Sequence, residues 1–218
     1  MKLTKSLNYL RQLAVNNNRE WYHANKEIFV DAKLEFEQFV SIMIGEIRQF
    51  DKSIEHIDPK DCIFRIYKDL RFSKDKIPYK INFGAYISNG GKKSPFAGYY
   101  IHLEPEASFI GGGIYIPQSE NLKLIRNGII DNIDEYKAIL NNKKFKEIFD
   151  GVYGEKLKSA PRGFAKGLPD LELIKHKHYA VIHNVNDDFW LKDNLVENVS
   201  KVFKIQKPFN DFLNKCLN

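Results

Sequence analysis

The 218-residue chain is poor in cysteine, methionine and tryptophan, with two of each. Cys62 and Cys216 stand far apart and belong to no spaced set, which excludes a disulfide framework and a cysteine-based zinc site; both read as buried free thiols. Long apolar runs are also missing, and no stretch approaches the ~20 residues that a membrane span needs. The opening Met1-Lys2-Leu3-Thr4-Lys5-Ser6 carries charge and hydroxyls where a secretion signal needs an apolar run, so a cytoplasmic location without a membrane partner is expected. Charge of one sign is barely in excess. A net charge of +6, from 34 basic and 28 acidic residues, permits an anionic partner without requiring one. The basic residues spread from Lys2 to Lys215 instead of forming the dense stripe of a dedicated nucleic-acid binder. No Gly-x-Ser-x-Gly elbow occurs, and Gly111-Gly112-Gly113 lacks the Gly-Lys-Ser/Thr continuation of a phosphate loop, so it reads as a bulged strand. Nothing in the sequence names a cofactor.

Bulky core material is plentiful: 16 Phe and 11 Tyr within a hydrophobic fraction of 43% support one domain over residues 1–218, without internal repeats or a low-complexity linker. A short helix over Leu7–Ala14 precedes a long one that starts after Asn16-Asn17-Asn18, where Asn17 and Glu20 have the spacing of a capping box. Phe29, Ala32, Phe36, Phe39, Met43, Ile47 and Phe50 then recur at steps of three and four, the signature of one buried helical stripe. After Asp58-Pro59 the period becomes two. Cys62, Phe64, Ile66, Leu70 and Phe72 alternate with Arg65, Tyr67, Asp69 and Arg71, which predicts a strand with an apolar and a charged face. Further strands are expected over Ile81–Ser88, Ala97–Glu104, Ser108–Ile116 and Tyr179–Val185; the first three are joined by connectors too short for parallel crossovers. Helices are expected over Ser119–Leu140 and Lys143–Phe149, then through Leu191–Val202, with a further helix opened by Pro208. The fold class is therefore α+β: an antiparallel sheet of about five strands, packed on one face by the long N-terminal helix and the C-terminal helices.

Side chains two apart on a strand share a face, so Arg65, Tyr67, Asp69 and Arg71 should project together. By the same parity Gly98, Tyr100, His102 and Glu104 face away from the core on one strand, and Asn82, Gly84, Tyr86 and Ser88 on another. The loop Ser73–Lys80 adds Lys74, Lys76 and Lys80, a basic rim suited to phosphate or carboxylate. Gly84, Gly98 and Gly112 inside strands mark places where a ligand or another backbone comes close. His176 and His178, with His183 further on, have a metal-compatible spacing but no acidic or cysteine partner nearby, so no metal is expected.

The stretches Asn17-Asn18-Arg19-Glu20-Trp21, Phe64 through Lys80, Ala97-Gly98-Tyr99-Tyr100, Gly111-Gly112-Gly113, Arg162-Gly163-Phe164 and Leu173-Ile174-Lys175-His176 together resemble the family known as domain of unknown function 2461, over nearly the whole chain. The resemblance implies an identity and carries no activity, cofactor or catalytic residue with it. Lys68 departs from the family pattern, which favours arginine there; the charge is kept, while two-pronged oxygen binding at that position is put in doubt.

Three readings stay open on the residues. In the leading one a small anionic molecule is bound by Arg65, Tyr67, Arg71, Lys74, Lys80 and Tyr100, with Asp69, His102 and Glu104 positioned to move protons should turnover follow. In the second, less favoured, the basic loop binds nucleic acid with Tyr67, Tyr79 and Tyr100 as stacking surfaces. In the third the charged face is structural or docks a protein, and it should then be flat.

Overall fold

The apolar stripe of the N-terminal half does form the predicted buried helix face. In a computed structural model that describes residues 1–69 and 77–218, α1 (Thr4–Val15) and α2 (Arg19–Ala24) precede α3 (Lys26–Phe50), whose Ala32, Phe36, Phe39, Met43 and Ile47 are buried. The expected single helix is broken at Asn25, whose side-chain amide donates to the Trp21 carbonyl (2.9 Å) and draws the backbone out of the helical path. The cap also sits one residue later than its spacing suggested. Asn18 Oδ1 accepts from the Trp21 amide (2.8 Å), while Asn17 holds the backbone of Tyr79 from both sides (Nδ2 to O, 3.0 Å; N to Oδ1, 3.2 Å).

A one-turn helix, α4 (Pro59–Cys62), leads to the sheet: β1 (Phe83–Ile87), β2 (Gly98–Leu103), β3 (Phe109–Ile114) and β4 (Tyr179–Asn184), antiparallel throughout and ordered as in sequence. Between β3 and β4 run α5 (Ser119–Asp131), α6 (Ile133–Asn141), α7 (Lys143–Ile148) and α8 (Leu171–Ile174); α9 (Leu195–Leu217) closes the chain. No helix among the described residues is long and apolar enough to cross a membrane.

The sheet has four strands where about five were expected. Among the described residues the segment from Cys62 onward pairs only through isolated bridges, Ile63 with Ala85 of β1 and Tyr67 with Tyr79 ahead of β1. The two bridges are out of register: residues 64–66 separate them on one side and residues 80–84 on the other, and the two extra residues interrupt the ladder as a bulge does. Residues 70–76 lie outside the described residues, so the rest of that expected strand, with Arg71 and Lys74, is not placed. A second correction concerns Pro208, expected to open a new helix; it lies inside continuous α9. Both Pro208 and Lys204, whose carbonyl loses its intrahelical donor, are exposed, on the side of α9 away from the core where a proline is best tolerated.

One face of the sheet is the core. Phe83 packs against Phe36 (5.4 Å between ring centres) and Tyr9 (6.3 Å), and Tyr99 against Phe203 (5.0 Å). Helix α3 lies against β1, and α9 lies against β3. Phe83, Ala85, Ile87, Tyr99, Ile101, Leu103, Ile110 and Val181 are all buried there, the larger of them each contributing about 1.5–3 kcal/mol.

Candidate functional site

With the helices on the core face, the alternate residues of each strand project to the other side. The register sets Gly84 opposite His102 and Tyr86 opposite Tyr100; across β2, His102 is opposite Phe109 and Tyr100 opposite Gly111. Tyr86, Tyr100, His102 and Phe109 thus floor a cleft of about 810 Å³, a size typical of small-molecule sites. Phe64, Lys80 and Asn82 close one end of it, Lys92, Lys93, Ser94 and Pro95 line the stretch after β1, and Tyr115, Ile116, Pro117 and Tyr153 form the far wall. The Tyr86 hydroxyl lies between the carbonyls of Phe96 (2.8 Å) and Gly113 (2.6 Å), which ties that ring across the sheet.

Three polar groups on β2 are joined in series. Tyr100 Oη lies 3.0 Å from His102 Nδ1, and His102 Nε2 lies 2.7 Å from Glu104 Oε2. A carboxylate only accepts, so the imidazole proton belongs on Nε2, and Nδ1 is left to accept from the Tyr100 hydroxyl. The ring is held flat on Phe109 (4.5 Å, 13°), and the turn carrying Glu104 is locked by Ser108 Oγ, which accepts from the Glu104 amide (2.9 Å). Burial lowers the His102 pKa against the opposing pull of Glu104, with Lys80 adding to the lowering. Burial, with a contribution from Glu104, pushes the Tyr100 phenol up to about 12, so it is a proton donor at neutral pH. The strand glycines have a different use from the one expected. A Cβ on Gly84 would lie 2.9 Å from Tyr100 Oη, and one on Gly98 would meet Ser88 Cβ at 2.5 Å, so these positions admit protein neighbours, not a ligand. Gly84→Ala is therefore expected to push the hydroxyl off His102. The cost should be about 1 kcal/mol, seen in chemical unfolding, with a change in the ¹⁵N shifts of the His102 ring.

The charged side chains lining the cleft are Lys80, Lys92 and Lys93, and among the described residues none of them is in an ion pair. Lys80 Nζ lies 5.9 Å from the centre of the Phe64 ring, and its pKa is lowered first by burial and then by the nearby Arg65. Lys92 Nζ donates to the Lys60 carbonyl (2.8 Å). Elsewhere lysines meet acids, as in Lys137 with Asp170 and Lys215 with Glu135.

Of the residues singled out from sequence, Lys80, Tyr100, His102 and Glu104 come together here. Arg65 is exposed, close enough to influence Lys80 but not part of the wall, and Asp69 is exposed and lines none of the cleft. Tyr67 turns to the N-terminal helices, its hydroxyl 3.1 Å from that of Tyr22. Arg71 and Lys74 lie outside the described residues. The parity assigned to this segment does not hold, because without a continuous ladder it is Phe64, expected in the core, that meets Tyr100 edge-on (6.3 Å, 69°). Lys92 and Lys93 were missed; the Gly90-Gly91 pair before them, both at positive φ, turns the chain back toward the open face. Of the paired histidines, His178 Nδ1 accepts from the Ile116 amide (3.1 Å) and His176 is buried. Among the described residues no three His, Cys, Asp or Glu side chains cluster as metal ligands would.

Neither a curated protein nor a solved structure matches the chain. A family model described as conserved hypothetical protein (DUF2461) matches residues 5–212. That match takes in every strand and all but the last turn of α9, so the chain belongs to the DUF2461 family of conserved hypothetical proteins.

Proposed function

We propose that the cleft binds a small organic anion, and that the Tyr100–His102–Glu104 chain exchanges a proton with it. The observation that carries this reading is the trio of lysines without a carboxylate partner among the described residues, set around an aromatic floor. Lys80 and Lys92 are partly buried and Lys93 is exposed, and the partly desolvated ammonium groups gain most from an incoming anion, since the same charge in open water is screened. The proton path follows from the hydrogen bonds. A proton taken from the ligand by Tyr100 Oη is matched by passage of the phenolic proton to His102 Nδ1, and the imidazolium so formed lies against Glu104. The return of the proton reverses each step, so the chain serves equally as acid and base.

Two features weigh against the other readings. Tyr79 is buried and stacked on Tyr22 (4.3 Å), so that ring offers no platform for bases, and Tyr67, though half exposed, is held to Tyr22 through its hydroxyl (3.1 Å) and lies outside the cleft. A docking surface calls for a flat face, whereas this one is concave.

The test is a thermal-shift panel of carboxylates and phosphate monoesters on the wild-type chain and on Lys80→Ala/Lys93→Ala. At a hundredfold excess over Kd a bound anion should add about 2.7 kcal/mol, a rise of about 5–10 °C for a chain of this size. The double variant should lose that rise; equal shifts in both proteins, or none in either, refute the proposal.

A further inference from the structure

The lysines do not converge on one point. Lys80 precedes β1 and reaches the His102 end of the cleft through its contact with Phe64, whereas Lys92 and Lys93 lie in the turn Gly91–Lys93 that follows β1. They flank β1 on either side, and its five residues alone make four steps of about 3.3 Å, or about 13 Å along the strand. No single phosphate or carboxylate spans that distance. Lys92 is moreover anchored at its end by the Lys60 carbonyl, a bond that uses one of its three N–H donors and leaves two. Between the two basic ends lie aromatic rings, Tyr86 and Tyr100, whose hydroxyls are turned to protein acceptors and whose faces are apolar. Tyr115 and Tyr153, both exposed and both in the wall, extend that apolar middle.

Resting on the reading above, we propose that the ligand is an elongated dianion: one acidic group at Lys80, the other at Lys92 and Lys93, and an apolar middle lying over Tyr86 and Tyr100. A linear molecule with acids at both ends satisfies both sets of cations, and the separation makes length the selecting property. The acid seated at Lys80 then places its neighbouring atoms beside Tyr100 Oη, where the proton exchange occurs.

Isothermal titration calorimetry with glutarate, suberate, sebacate and decanoate tests this directly. Sebacate and decanoate share a chain length and differ in the second carboxylate. Sebacate should bind about tenfold more tightly than decanoate, the worth of one further charge-assisted contact, and more tightly than the short glutarate. Lys80→Ala and, separately, Lys92→Ala/Lys93→Ala should each close the gap between sebacate and decanoate. Decanoate binding as well as sebacate, glutarate binding best, or a gap that survives both variants overturns the two-ended ligand while leaving an anion cleft in place. If none of the four acids binds while a phosphate monoester still raises the melting temperature, the two-ended ligand falls and the anion cleft stands; if neither occurs, both fall.

Discussion

Alanine at Gly112 is expected to lower the melting temperature by about 12 °C. Gly112 sits in β3 at φ +150°, and an added Cβ would overlap both the Gly98 carbonyl oxygen of β2 and the Gln206 amide of α9. These neighbours cannot give way independently. Gln206 Nε2 and Asn210 Nδ2 both donate to the Gly98 carbonyl (3.0 and 3.1 Å), and Gln206 Nε2 also reaches Asn210 Oδ1 (3.0 Å). A methyl group there must lift α9 from the sheet or tear those bonds, leaving a buried carbonyl without a donor. Overpacking costs about 1–3 kcal/mol and an orphaned buried acceptor about 1–3 kcal/mol. Their sum, about 4 kcal/mol, corresponds to about 12 °C at 2–4 °C per kcal/mol. Gly45→Ala is the control of opposite sign. Gly45 is exposed within α3 with nothing within 4 Å of its added Cβ, so alanine should stabilise by about 1 kcal/mol through helix propensity alone. Scanning calorimetry on both variants reads the contrast, and a Gly112→Ala protein that melts with the wild type would mean that α9 is not seated on β3 as described.

The second large effect is on acid stability and belongs to His176. Its ring is buried beside Tyr179, its Nδ1 has no hydrogen-bond partner among the described residues, and its carbonyl is held by Arg126 (3.0 Å). Burial pushes its pKa down to about 4, with Lys156 adding to the lowering and Glu172 opposing it. The unfolded chain takes up this proton near pH 6.5 and the folded chain not until about pH 4. Between those values the unfolded state binds more protons, so stability is intact above pH 6.5 and declines as the pH falls through the window, by about 3 kcal/mol in all. His176→Phe removes the titration. Urea unfolding at pH 7 and pH 4.5 should show the wild type losing more stability than the variant, and parallel losses would place the acid sensitivity in other groups.

Much of the candidate site was legible because strand parity is a local property. Tyr100, His102 and Glu104 face away from the core for the same reason that Tyr99, Ile101 and Leu103 face into it: the pleat alternates, and the apolar residues select which side is buried. The α3 stripe was legible likewise, its helical period being written in Ala32, Phe36, Phe39, Met43 and Ile47. Where a single residue competes with the regular pattern, periodicity misleads. Asn25 interrupts the long helix, two extra residues between Tyr79 and Ala85 throw the segment after Cys62 out of register with β1, and Pro208 lies inside α9 without opening a new helix.

By itself, then, the sequence determined most of the helices and, for β1 and β2, the side of the sheet on which each residue lies, because both depend on neighbours one to four positions away. Only the tertiary structure decided that Lys80, Lys92, Tyr115 and Tyr153 border one cleft and that Tyr67 does not. Those placements depend on how turns such as Gly91–Lys93 fold back and on what packs opposite, as when Tyr22 claims Tyr67. Contacts between residues so far apart follow from the closure of the whole chain around its core, which no local period encodes.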